Sequence, residues 1–93
     1  MKTKYAIEIT TRFKKDYKAI LKRGYNVSLL EEPLSLLANG MKLPEKYLDH
    51  PLQGKYKGCR EFHVTPDWLV IYEIVDKTLV LYLARTGTHS DLF

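Results

Sequence analysis

The alternation of apolar and polar positions changes period twice along this chain. Tyr5-Ala6-Ile7-Glu8-Ile9-Thr10 repeats every second residue, which predicts a short strand. From Phe13 the spacing becomes i, i+4, i+7, i+8 through Tyr17, Ile20 and Leu21, the stripe of an amphipathic helix. Thr10 or Thr11 offers this helix an N-cap, and Gly24 stops it. A second helical pattern runs from Asn26 or Ser28 to Asn39, with Leu30, Leu34 and Leu37 as its seam and Ser28 with Glu31 as a capping box. Pro33 lacks an N–H and crowds the preceding turn, so this helix is either kinked or starts late with Pro33 in its first turn. Residues 40–56, punctuated by Pro44, Pro51 and Gly54, read as loop. Three strands then follow, over Cys59–Val64, Trp68–Val75 and Thr78–Thr86, the last two joined by a two-residue hairpin connection at Asp76-Lys77. Leu79–Ala84 is apolar on both faces, which predicts a central strand, and Gly87 ends it ahead of a tail.

The order β-α-α-β-β-β predicts an α+β domain with two N-terminal helices on one face of a small, mostly antiparallel sheet. Ninety-three residues make one domain, 1–93, with no repeat, linker or low-complexity segment. Hydrophobic residues at 45% and charged residues at 28% are ordinary globular values. Cys59 is the single cysteine, which excludes an internal disulfide or a cysteine-built zinc site and fits a reducing compartment. The Met1–Tyr5 segment leads into no apolar signal region, and no apolar run approaches the ~20 residues needed to cross a bilayer. A cytoplasmic protein with no membrane partner is expected.

Charge sharpens this picture. The net charge of +4 conceals an asymmetry: residues 1–23 hold eight Lys/Arg against Glu8 and Asp16, whereas the remainder holds seven basic and nine acidic residues. Lys14, Lys15, Lys18, Lys22 and Arg23 therefore form a candidate footprint for a polyanion or an acidic protein partner. A solvated lysine-rich helix face is the plain alternative.

Candidate chemistry gathers in the second half, where all three histidines sit beside turn signals. The Trp68 strand starts at the sheet end where the Leu79 strand finishes, because a hairpin joins their other ends. His63, Asp67, Trp68, Arg85 and His89 should therefore converge, and His50 joins them if the preceding loop folds back. Imidazoles exchange protons near neutrality, and an arginine meets developing anionic charge, which suits phosphodiester cleavage without a metal or cofactor. Trp68 and Phe93 could stack on bases, and Arg60 could bind substrate. Each residue also has a structural reading. A histidine near a turn can be a surface residue, Trp68 can be core, and Arg85 can pair with Glu61 or Asp67. A zinc site from the histidines and Asp67 lacks supporting spacing.

Asp49-His50-Pro51-Leu52-Gln53-Gly54, then Lys57-Gly58, Arg60, His63-Val64 with Pro66-Asp67-Trp68, and Arg85-Thr86-Gly87-Thr88-His89 with Leu92-Phe93 resemble the YafQ-type branch of the RelE/ParE toxin superfamily. The resemblance spans nearly the whole chain, and the HPLxG, H-x-x-P-D-W and RTGTH segments carry it. It implies a toxin of a type II toxin–antitoxin module, a ribosome-dependent endoribonuclease that cuts mRNA in the A site without a metal. Its implied partners are a cognate antitoxin and the 70S ribosome with its rRNA and mRNA. His50, His63, Asp67 and His89 match positions implicated in proton transfer. Arg85 matches a phosphate-stabilising residue, Phe93 an aromatic needed for activity, and Trp68 a neighbour of the active site. His89 is expected as acid, with His50 or His63 as base. Pro33 and Cys59 depart from the family's pattern outside these positions.

Two other function classes fit the same fold. One is a ParE-like inhibitor of a protein such as DNA gyrase, which would need no proton shuttle; the other is an RNA-binding module without catalysis.

Overall fold

Thr10 marks the first change of period in three dimensions as well as in sequence. Its side chain accepts the Phe13 N–H at 3.0 Å and so caps helix α1, Thr11–Lys22, directly after strand β1, Ala6–Ile9. The computed structural model describes residues 3–93; Met1 and Lys2 of the basic segment lie outside them. Phe13 and Ile20 are buried along α1, whereas Leu21 is exposed and leaves the predicted stripe.

The second helical region divides in two. A 3₁₀ turn, Val27–Leu30, precedes helix α2, Glu31–Ala38, which places Pro33 in the first turn, where an N–H has no partner to lose. The expected Ser28–Glu31 capping box is absent among the described contacts. Asn26 caps instead, its side chain accepting from both the N–H and the hydroxyl of Ser28.

Four further strands complete the sheet: β2, His50–Pro51; β3, Arg60–Thr65; β4, Trp68–Val75; and β5, Val80–Gly87. The order is β1-β5-β4-β3-β2, with β1 parallel to β5 and every other pair antiparallel. Two details correct the sequence reading. The short strand β2 lies inside the segment read as loop, and it tolerates Pro51 because it forms an edge. The β4–β5 connection comprises four turn residues, 76–79, rather than two, with Leu79 in the left-handed region at φ 53°. β5 is interior, but β4 is the middle strand.

Both sheet faces are covered. α1 and α2 enclose a core containing Phe62, Trp68, Val70, Tyr72, Leu81 and Leu83. On the other face a smaller apolar cluster joins Leu69 and Ile71 to Leu92, with Leu52, Tyr56, Cys59 and Ala84 packed against it. Leu92 comes from helix α3, His89–Leu92, where a free tail was expected. Thr88 and Asp91 form a capping box that folds this tail back.

Candidate active site

Two groups of side chains flank the smaller apolar cluster. β2 and β3 build the first. His50 stands opposite Glu61 in the ladder, and His63 follows two residues later on the same face of β3. Both imidazole Nε2 atoms approach Glu61 Oε1, His50 at 3.3 Å and His63 at 3.7 Å. Glu61 is only 4% exposed, and its Oε2 has no hydrogen-bond partner among the described residues. A carboxylate so buried requires a proton, a positive partner or a cation nearby. His50 Nδ1 lies 2.7 Å from the carbonyl oxygen of Leu48, a residue in left-handed backbone at φ 49°. The ring is thus held from both sides.

β5 and α3 build the second group. β1 pairs with β5 only through Leu83, so the edge of β5 beyond is free to meet α1. Thr10 donates there to the Ala84 carbonyl at 2.7 Å, and the Asp16 carboxylate accepts the Thr86 N–H at 3.2 Å. That same carboxylate takes Arg85 in a two-pronged pair, Nε at 2.7 Å and Nη2 at 3.0 Å. Asp16 raises the already high pKa of the guanidinium, which keeps it charged at every working pH. Arg85 Nη1 points elsewhere, 3.4 Å from the Tyr56 hydroxyl. His89 begins α3 and stacks on Phe93, with ring centroids 4.8 Å apart at 30°. Phe93 meets the Tyr56 ring edge-on at 5.7 Å and is 53% exposed.

Leu69 pairs with His63 and Ile71 with Arg85, so β4 supplies the floor between the groups. Two strand spacings, about 10 Å, separate β3 from β5.

The sequence profile of the YafQ family, described as the bacterial toxin of a type II toxin–antitoxin system, matches residues 5–93. The chain belongs to this family. It is 46% identical over 88 residues to the mRNA interferase toxin YafQ of Escherichia coli K12, covering 94% of each chain. Its fold matches YafQ in the crystal structure of the E. coli DinJ-YafQ toxin–antitoxin complex, with a TM-score of 0.86, 43% identity and coverage of 97% of this chain and 98% of that one. A metal-bound toxin from Helicobacter pylori superposes with a TM-score of 0.88, at 42% identity and full coverage of both chains.

His50, Glu61 and His63 offer three ligand atoms within 4.8 Å of one another. Two imidazoles and a carboxylate suit a borderline cation such as zinc, and the unpartnered Glu61 oxygen favours that fit. Such a cation site would share His50 and His63 with the base candidates of the sequence reading.

Four site expectations change. Trp68 is 1% exposed, meets Tyr25 edge-on in the main core and donates its indole N–H to Thr86 Oγ1 at 2.8 Å, so it has no face to offer a base. Arg60 projects from β3 opposite to Glu61 and His63 and pairs with Asp49, which also accepts from Tyr72. Arg23 is committed to a two-pronged pair with Asp91 at 2.7 and 3.1 Å, which ties α3 to α1. Asp67 accepts from Thr65 at 2.9 Å in the exposed β3–β4 turn and touches no histidine among the described contacts. Lys14, Lys15, Lys18 and Lys22 are exposed and enter none of the described ion pairs.

Glu61, Asp16 and Tyr56 escaped the sequence reading as site residues. Glu61 had a signal, since a residue two before His63 in a strand shares its face. Asp16 had a weaker one as the lone acid on a basic helix. Tyr56 had none.

Proposed function

We propose that this YafQ-family chain is the toxin of a type II toxin–antitoxin module, cutting mRNA within codons in the ribosomal A site in the cytoplasm. A cognate antitoxin protein restrains it. The observation that carries the reading is the pairing of two histidines around buried Glu61 with a chain of contacts from Arg85 through Tyr56 and Phe93 to His89, across one apolar floor. The mRNA interferase name of E. coli YafQ supports the reaction class, and the E. coli DinJ-YafQ complex supports the antitoxin.

In-line attack places the base and the acid on opposite sides of phosphorus. His63, whose Nε2 lies 3.7 Å from Glu61, takes the proton of the ribose 2′-hydroxyl, since both nitrogens of His50 already face acceptors at shorter range, and the 2′-oxygen forms its bond to phosphorus. Arg85 meets the charge gathering on the non-bridging oxygens. His89 then protonates the departing 5′-oxygen as the P–O5′ bond breaks. The products are a 2′,3′-cyclic phosphate and a 5′-hydroxyl. Phe93 holds His89 by ring contact, and Glu61 fixes the His50 imidazole beside the base. The free lysines of α1 contact rRNA phosphates or the antitoxin.

His89→Ala and Arg85→Ala should keep the fold by circular dichroism and lower ribosome-dependent cleavage roughly 100-fold or more. Undiminished cleavage by either folded variant would contradict the assignment. A divalent cation on His50, Glu61 and His63 would supply Lewis-acid charge while occupying the imidazole lone pairs. Cleavage by the acid–base route therefore persists in EDTA and falls as Zn²⁺ is added. Loss in EDTA with recovery on Zn²⁺ would instead make the metal a participant.

A further inference from the structure

The Asp16–Arg85 pair determines how the guanidinium can meet a phosphate. Asp16 engages Nε and Nη2, the edge through which arginine ordinarily grips two oxygens at once. The end of the guanidinium remains, the second N–H of Nη2 and both of Nη1, with Nη1 directed at the Tyr56 oxygen. A phenol that accepts from a guanidinium turns its own O–H outward, and the Tyr56 hydroxyl has no acceptor among the described contacts. Its ring is held in place by the Phe93 edge at 5.7 Å, with Lys55 Nζ 5.2 Å from the ring centre, and it packs on the floor of Leu69 and Ile71. The turn that presents it, Gly54–Tyr56, begins with Gly54 at φ 69°, a conformation that glycine adopts without strain.

We propose that Tyr56 is a substrate-contacting residue, its hydroxyl and Arg85 Nη1 jointly receiving one non-bridging oxygen of the scissile phosphate, and that Asp16 is the positioning residue that turns Arg85 end-on. This rests on the nuclease reading above. Tyr56 donates a hydrogen bond and transfers no proton, so the proton balance of the reaction is unchanged. Lysine at position 85 is a poor substitute, because its single nitrogen lacks the planar fork that grips Asp16 along one edge while presenting donors from another.

The test uses ribosomes programmed with a short mRNA bearing an Rp or Sp phosphorothioate at the cleaved linkage, with full-length wild type, Tyr56→Phe, Asp16→Asn and Arg85→Ala. Tyr56→Phe keeps the ring and its packing. It is expected to lower kcat roughly 100-fold with KM nearly unmoved, and to relax the preference between the two diastereomers. Asp16→Asn is expected to lower kcat and alter the same preference. A Tyr56→Phe enzyme with wild-type kcat and stereopreference, or with only a raised KM, overturns the proposal while Arg85→Ala remains inactive. If wild type fails to cut, or Arg85→Ala cuts normally, the nuclease reading fails and this proposal falls with it.

Discussion

Trp68 and His89 show how residue type and local position can point in opposite directions. Both lie beside turn signals near the C-terminal third, and both belong to the segments that resemble the YafQ family. His89 lands on an exposed helix start against Phe93, whereas Trp68 turns into the main core and bonds Thr86. Trp68→Phe should therefore act on stability. Losing the buried indole–hydroxyl bond leaves Thr86 Oγ1 only its donation to the Leu69 carbonyl and, with the smaller ring, costs roughly 1–3 kcal/mol, a fall in Tm of several degrees or more for a domain this size. A stacking role would appear instead as a raised KM with Tm unmoved. The sequence did contain a warning about Arg60: it lies three residues before His63 in one strand, and odd separations in a strand fall on opposite faces. Trp68 carried no such warning, because strand alternation does not reveal which face the helices cover.

At the scale of elements, α1 is the frame of the second half of the site. Asp16 reaches across to Arg85, and Arg23 reaches the Asp91 side chain that caps α3. Gly87 permits that closure, since a Cβ there would sit 3.0 Å from Asp91 Cβ. Arg23, helped by hydrogen bonds from Thr88, holds the Asp91 carboxyl well below the usual carboxylate range. A depressed folded-state pKa contributes stability above the unfolded value, and that contribution disappears as pH falls towards the folded one. The pair is solvent-screened, so only a small part of the stability is at stake. Asp91→Asn should accordingly melt below wild type by the same margin at pH 7 and pH 5, with the gap closing below about pH 4. A gap that persists unchanged at pH 2.5 would assign the effect to the cap alone. Helix α1 and strand β4 were legible because their periodicities are long. β2 was not, since two residues carry no period and Pro51 argued for loop, and α3, four residues long, was too short to register and was read as a tail.

Over the whole molecule, the α+β layering followed from the order of periodicities, and hairpin connectivity led to the expected meeting of His63, Asp67, Trp68, Arg85 and His89, from which Trp68 departs into the core and Asp67 into its turn. Neither could show that the site divides into two groups with an apolar floor between them, because that depends on which side chains choose Glu61, Asp16 and Tyr56 as partners. The charge asymmetry survives folding as an exposed lysine face on α1. If these lysines contact rRNA phosphates, Lys15→Ala with Lys18→Ala should weaken ribosome binding and flatten its dependence on salt by about one logarithmic unit per lost contact. An unchanged salt slope would remove α1 from the ribosome-binding surface.

The most direct test of the account is the chemistry of the cut ends. Purified protein should cleave ribosome-bound mRNA to leave a 2′,3′-cyclic phosphate upstream and a 5′-hydroxyl downstream, in reading frame and in the presence of EDTA, with His89→Ala leaving the message intact. Ends bearing a 5′-phosphate, or intact mRNA under conditions where the folded protein still arrests growth, would contradict it.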